Sequence, residues 1–370
     1  MAKKTVLVIG SGIVGSSIAW HLTQAGCAVT VVDSGDGGGV ATPNSFAWLN
    51  ATWGNPKPYF DLRMRSLREW RRLAGKVPGL DVKWCGGLLW DLPPDELEAY
   101  AREHEMWGYG IRRVGKAEAM KIEPNLKAPP EFAVHVAEEG MIDPLSAARA
   151  MLAAAEADGT RILRKTTVDR LVATGPRISG AMTNAGLISA DEVVVAAGAV
   201  TGELLETIGV TLKMDTRPGL LASSKPTAPL INGMVLSPGC HIRQTAAGRL
   251  LAGSDYGGAD PADQAGEKAR LLHAKMQTMI SGAEAIDLDF HTIGYRPIPE
   301  DGFPAVGRPD EMPGLYVAVM HSGMTLAPVV GLFAVQEILD DVRDPLLAPY
   351  RPDRPALLGD AEYGSRLPTA

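Results

Sequence analysis

Residues 6–33 read VLVIGSGIVGSSIAWHLTQAGCAVTVVD, and no other stretch restricts the fold of this chain as strongly. The apolar run at 6–9 has the character of a buried parallel strand. It breaks at Gly10-Ser11-Gly12-Ile13-Val14-Gly15, the GxGxxG spacing, and a helical pattern runs to about Gln24 before Gly26 ends it. A second apolar strand at 28–32 closes on Asp33. Each part meets a mechanical need. Gly10 permits a tight turn, Gly12 lets a pyrophosphate approach the backbone, and Gly15 lets the helix pack closely on the strand. Ile13 and Val14 open that helix, whose N-terminus faces the phosphates. Asp33 lies where a carboxylate accepts ribose hydroxyls, with Ser34 next to it at the head of a glycine-rich loop. In this setting the motif predicts dinucleotide binding, without separating FAD from NAD.

The 370 residues suffice for one large or two medium domains, and 46% hydrophobic with 21% charged residues is a globular composition. A net charge of −7 leaves no basic footprint, so nucleic acid is not an expected partner. The apolar run at 6–9 is too short for an export-signal core. The richest later stretch, 314–335, is broken by His321, Ser322, Gly323 and Pro328, short of the roughly 20 apolar residues a membrane helix needs. Cys27, Cys85 and Cys240 are odd in number and lack CxxC spacing, so neither a disulfide framework nor a metal site is expected. A cytoplasmic protein is the expectation.

Further along, 191–197 is a second apolar strand ending in Gly198, with a helix from Thr201. A last buried strand at 314–319 leads into a helix from Gly323 or Met324 to about Leu339. Helical patterns also cover 58–73, 94–106, 145–157 and 267–280; strands fall near 88–91, 161–163 and 167–172. Hairpins are expected through Asn184-Ala185-Gly186 and over 241–252, and residues 139–144 read as a turn. The layout is a nucleotide domain in three pieces, 1–78, 141–217 and 293–370. Two inserts, 79–140 and 218–292, form a second domain, and the later one is strand-rich. Such interruption speaks against an NAD dehydrogenase, whose nucleotide domain is usually continuous.

The segment GYRPIPEDGFPAVGRPDEMPGLYVAVMHSGMTLAPVVGLFAVQEIL at 294–339 resembles the D-amino acid oxidase superfamily of flavoproteins. The similar branch holds glycine oxidase and D-amino acid dehydrogenases. Its members carry a G-[LY]-R-P-x-x-x-D-G-x-P-x-I-G stretch, then a strand, H-x-x-G and LAP. Matches recur at the GxGxxG, at GMIDP (140–144) and at VVVAAGA (193–199), in the right order along nearly the whole chain. The resemblance implies an α/β fold: a Rossmann-like FAD-binding domain with an inserted α+β substrate domain built on an antiparallel sheet. It also implies FAD as cofactor and oxidation of a C–N bond. The covalent branch attaches FAD through a cysteine near this segment; none lies between 291 and 370, so non-covalent FAD is expected.

Site residues follow from the same resemblance. Thr42 falls where the family has a Ser or Thr on the pyrophosphate, with Asn44 and Ser45 as further polar candidates; an ordinary polar turn is the alternative. Val168 matches a position whose backbone holds the adenine. Ala197 and Gly198 are small where backbone passes the cofactor. His321-Ser322-Gly323-Met324-Thr325 leads into a helix whose N-terminus the family points at the flavin N1–C2=O edge, where reduction places negative charge. A helix merely capped by Ser322 is the alternative. Arg296, in the RP motif, stands in both the substrate and the cofactor sets: its planar fork suits a substrate carboxylate. A surface salt bridge is the competing reading. His241 stands where glycine oxidase-like members have a carboxylate-binding tyrosine, and His321 near a second arginine of theirs. Both departures weaken the case for a small, tightly clamped amino acid such as glycine and leave open a larger D-amino acid, an imino acid or another secondary amine. Trp48 is expected to wall the substrate site, or else to be core.

The implied reaction is hydride transfer from the α-carbon of a neutral amine to flavin N5, giving an imine that hydrolyses. Orientation and charge complementarity are the protein's part. The implied partners are a small amino acid or amine and, as acceptor, oxygen or an electron-transfer chain; a homo- or hetero-oligomer stays open. Competing readings are a sarcosine-type N-demethylating oxidase, a non-catalytic FAD-binding subunit of a heteromeric dehydrogenase, and an NAD-dependent dehydrogenase.

Overall fold

Thr5–Ile9 alternates its side chains between two different layers. Val6 and Val8 face a core shared with helices Ile13–Gln24 and Gly323–Leu339, whereas Leu7 and Ile9 face Leu171, Ile178 and Ala181. A strand buried on both faces needs apolar residues at every position, which the sequence supplies. This computed structural model describes residues 3–51, 55–255 and 264–358. The extreme ends of the outer domain pieces, residues 52–54 of the first, and 256–263 of the later insert lie outside the described residues.

The first sheet has six strands in the order Ala305–Gly307, Leu315–Val319, Glu192–Val195, Thr5–Ile9, Ala28–Val32, Arg161–Leu163. All its pairings are parallel except that of Ala305–Gly307 with Leu315–Val319. Helix Ile13–Gln24 packs against both Pro144–Ala157 and Gly323–Leu339, and Lys57–Ala74 packs on the latter. An antiparallel three-stranded sheet, Val168–Thr174, Arg177–Thr183 and Gly186–Ser189, covers the opposite face.

The second large sheet has eight strands: Leu288–Pro299, Met214–Pro226, Arg249–Asp255, Cys240–Gln244, Met234–Ser237, Gly87–Leu89, Phe132–Val136, Ile111–Gly115. Both inserts contribute, joined where Gly87–Leu89 runs parallel to Met234–Ser237; every other pairing is antiparallel. The divisions after residues 217 and 292 fall inside its two longest strands.

One local expectation fails. Residues 139–144 are not simply a turn: Gly140–Ile142 is the middle strand of a small sheet with Trp48–Leu49 and Val82–Lys83. A Cβ on Gly140 would lie 2.7 Å from the Lys83 carbonyl oxygen, so glycine here marks close strand packing. Asp143 then caps the next helix by accepting from Ser146 N at 2.8 Å.

Candidate active site

The two large sheets enclose a cavity of about 940 Å³, near the upper end of the roughly 300–1,000 Å³ usual for ligand sites. Its nucleotide end is built from the opening motif. Gly10 adopts φ 96°, a conformation open to glycine, and a Cβ there would meet the Ala196 carbonyl. Gly12, Ile13, Val14, Asp33 and Ser34 line the cavity. Gly15 does not: its place is under the helix, where a Cβ would run into the Gly10 carbonyl oxygen. A Cβ on Gly39 would stand 2.7 Å from Gly12 Cα, so two bare backbones form a cradle that side chains would fill.

Thr42 Oγ1 accepts from Ile13 N at 3.0 Å and supplies the side-chain acceptor that Gly12 cannot. The Asp33 carboxylate accepts from Ser11 N at 2.8 Å, from Ser11 Oγ at 2.5 Å and from Gly35 N at 2.8 Å. These bonds pin it at the cavity edge and use three of its roughly four acceptor sites. Asn44 and Ser45 line the cavity but serve their own loop: Asn44 Nδ2 donates to the Val40 carbonyl, and Ser45 Oγ accepts from Ala47 N. Val168, Ala197 and Gly198 line the same end. Gly198 has φ 61°.

Helix Gly323–Leu339 begins at the middle of the cavity. His321, Ser322, Gly323, Met324 and Thr325 all line it, and Ser322 forms no side-chain cap. The plain-cap alternative therefore lacks its hydrogen bond, and among the described residues the first-turn amides have no side-chain acceptor. His321 is exposed, while Thr325 is buried and donates to the Trp48 carbonyl.

Opposite stands one face of the eight-stranded sheet. Arg296 lines the cavity, with its guanidinium lying across Gly219. A Cβ on Gly219 would stand 2.9 Å from Arg296 Nη2. Its cross-strand neighbour is Arg217, also at the cavity and bonded through Nε to Asp215 at 2.6 Å. His241 lines the cavity with Nε2 3.0 Å from Asp91 Oδ2. Trp48 does too, and its indole donates to Glu139 at 2.7 Å. Glu139 is fully buried and also accepts from the Tyr109 hydroxyl at 2.5 Å. Burial pushes that phenol well above its usual range, and the Glu139 charge adds to the rise.

Of the residues singled out in the sequence, all but Gly15 therefore reach one cavity. Asp91, Arg217, Glu139 and Arg63 were missed. Asp91 and Glu139 meet the site only through long-range hydrogen bonds, and Arg217 reaches the cavity through strand pairing with Arg296. Arg63 left a trace, since it shares a helical stripe with Tyr59, Ser66, Leu67 and Trp70 and interrupts its apolar character. Among the described residues there is no helix long and apolar enough to cross a membrane, and no cluster of metal-ligating side chains.

The curved cradle of glycines, the helix start at Gly323 without a side-chain cap and the carboxylate edge fit an extended dinucleotide. Comparison with known proteins agrees. Residues 5–337 match the family described as FAD dependent oxidoreductase, DAO. The chain is 28% identical to a glycine oxidase of Bacillus licheniformis over 90% of this chain and 92% of that one. It is 29% identical to a glycine oxidase of Pseudomonas aeruginosa over 95% and 99%. The solved L-proline dehydrogenase from P. horikoshii superposes with a TM-score of 0.84 at 25% identity, covering 95% of this chain and 97% of that one. The chain belongs to the DAO family of FAD-dependent oxidoreductases.

Proposed function

We propose that this protein oxidises the C–N bond of a small amino acid or carboxylate-bearing secondary amine, with FAD held non-covalently. The observation that carries the reading is Arg296: a guanidinium lodged over Gly219 in the same cavity as the glycine cradle and the N-terminus of Gly323–Leu339. When bound, FAD supplies the acceptor for the hydride that leaves the α-carbon. Everything else is positioning by the chain.

Gly12 and Gly39 admit the pyrophosphate, and Asp33 holds the ribose edge. The amides at Gly323–Thr325 would hold the pyrimidine end of the flavin. Arg296 takes the substrate carboxylate in a two-point contact that fixes which hydrogen faces the flavin. His241, steadied by Asp91, and Trp48, steadied by Glu139, shape the remaining wall. The outer pieces 1–78, 141–217 and 293–370 act as the cofactor domain, and 79–140 with 218–292 as the substrate domain. The protein works in the cytoplasm, passing electrons to oxygen or to an electron-transfer chain. Relatives named for glycine and for L-proline support primary and secondary amines alike.

The test is an anaerobic screen. The purified protein is expected to be yellow, to release FAD on acid treatment, and to bleach with at least one of glycine, sarcosine, D-alanine, D-proline or L-proline. Bleaching by sarcosine without glycine assigns the N-demethylating variant. A yellow protein that no amine bleaches overturns the catalytic reading in favour of a cofactor-binding subunit.

A further inference from the structure

We propose that Arg63 is an additional electrostatic residue of the flavin site. Its guanidinium, together with the N-terminus of Gly323–Leu339, holds the negative charge that FAD gains on reduction. The inference rests on the FAD reading above.

Arg63 lies on the buried face of helix Lys57–Ala74 and is only 7% exposed. An arginine so far removed from water normally has a carboxylate partner. Among the described residues none is in ion-pair range of Arg63. Instead Nε donates to the Asn50 carbonyl at 3.0 Å and Nη2 to Asn50 Oδ1 at 2.8 Å. Nη1 makes no hydrogen bond among the described residues, is not sealed off by protein, and belongs to a residue that lines the cavity.

A second polar group points the same way. The Tyr59 ring lies 5.4 Å below the guanidinium carbon, and the residue lines the cavity while its hydroxyl is buried. That hydroxyl is sealed beneath the cavity wall, beside Ser322 but without the geometry of a hydrogen bond. Burial raises the phenol and the Arg63 charge offsets part of the rise.

The distance from Arg63 to the helix end is fixed by packing. Ser66 Oγ donates to the Thr325 carbonyl at 2.6 Å, and Trp70 Nε1 to the Met324 carbonyl at 3.0 Å. Asn50 N, on the residue that Arg63 grips, donates to Thr325 Oγ1 at 3.4 Å. An uncapped seventeen-residue helix and an uncompensated cation thus converge on one place. The pyrophosphate already has the glycine cradle, and the substrate carboxylate has Arg296 on the opposite sheet. The remaining anion is the one that reduction creates. A cation facing a group that is neutral before reduction and charged after it favours the reduced state.

The experiment compares FAD-loaded wild type with Arg63→Met, Arg63→Gln and Arg63→Lys. The readouts are the two-electron midpoint potential and the dissociation constant of sulfite, which adds to flavin and leaves it negatively charged. A lost charge-assisted contact predicts about 30-fold in each. At 29.6 mV per decade that is about 44 mV toward more negative potential for Arg63→Met. Arg63→Lys should recover most of the shift, and Arg63→Gln, which keeps donors without charge, should not. Unchanged potential and sulfite affinity in any flavin-replete neutral variant overturn the proposal. So does a loss confined to KM for amino acids and absent for the matching amine, which would make Arg63 a carboxylate contact. Should Arg63→Met fail to fold, equal potentials for the Lys and Gln variants overturn it equally. A wild type without FAD removes the functional reading, and this one with it.

Discussion

The two ends of the cavity are made by opposite means. At the nucleotide end the wall is largely contiguous: one turn, one helix start and one loop between residues 9 and 45 supply most of it. Glycine there answers the backbone itself, through the φ of Gly10 and the strand–helix contact at Gly15. At the substrate end the wall is assembled by register. Arg296 stands across from Arg217 and Gly219 across from Gly294 on strands separated by tens of residues, and His241 stands across from Gly253 in a hairpin. Glycine here yields room to another residue's side chain or loop: Gly219 to Arg296, Gly294 to Asn44. The first end should therefore fail as a cofactor site, and the second should change its substrate while keeping the cofactor.

The largest effect tests the first half of that contrast. Gly12→Val puts a branched side chain where the pyrophosphate belongs and should abolish flavin binding, read as the ratio of flavin to protein absorbance. Wild-type flavin content in that variant would break the comparison. Asp33→Ala should weaken binding less: it removes the ribose contacts and the carboxylate's bonds to Ser11 and Gly35, but leaves the pyrophosphate cradle without an obstructing side chain.

Arg296→Met tests the other half. Flavin content should be unchanged, while kcat/KM for an amino acid falls by about 30- to several-thousand-fold, the equivalent of roughly 2–5 kcal/mol. The matching amine without a carboxylate should lose much less. Equal losses for acid and amine mean that the arginine is structural.

The parallel-sheet side also carries a strongly acid-sensitive group. His21 is buried between helices, with its pKa lowered from 6.5 to about 4, first by burial and then by the Arg72 charge, against a raising bond to the Ser17 carbonyl. A depressed histidine binds fewer protons folded than unfolded. Stability is full above about pH 6.5 and is lost as pH falls toward 4, by about 3 kcal/mol at most. His21→Gln should flatten that limb in urea titrations at pH 7 and pH 4.5; an unchanged slope overturns the assignment.

Glu139→Gln sits between the two ends. It leaves the Trp48 and Tyr109 donors one poorer acceptor and should cost about 1–3 kcal/mol, with a shift in Trp48 emission but retained flavin. Smallest of all, Gly219→Ala displaces only the tip of a flexible side chain. A several-fold rise in KM is expected at constant midpoint potential. A changed potential there would show that the two ends are less separate than their construction implies.

What the sequence revealed follows the same division. The helices at 94–106 and 323–339 and the strand at 161–163 end where their signals end, because capping prolines, glycines and apolar runs are local. The strands Ile111–Gly115 and Phe132–Val136 escaped notice, being short and defined by their neighbours. Met214–Pro226 and Leu288–Pro299 carry Pro218, Gly219, Gly294 and Pro297, residues that ordinarily interrupt strands. Tertiary pairing overrides that preference. Arg296 was visible through family resemblance, whereas the room made for it by Gly219 was not. Asp91 and Glu139 were invisible, since nothing in a lone acidic residue announces that it will be buried against a histidine or a tryptophan.

The strand order of the six-stranded sheet also sets a schedule. Thr5–Ile9 emerges first, yet its partner Glu192–Val195 comes nearly two hundred residues later, and that strand in turn waits for Leu315–Val319. At about 5–20 residues per second of synthesis, the glycine turn stands without its finished scaffold for roughly 15–60 s. During that interval the newborn chain exposes apolar strand edges to whatever surrounds the ribosome. A cofactor cradle drawn from the first forty-five residues is thus finished only when Leu315–Val319, near the end of the chain, arrives.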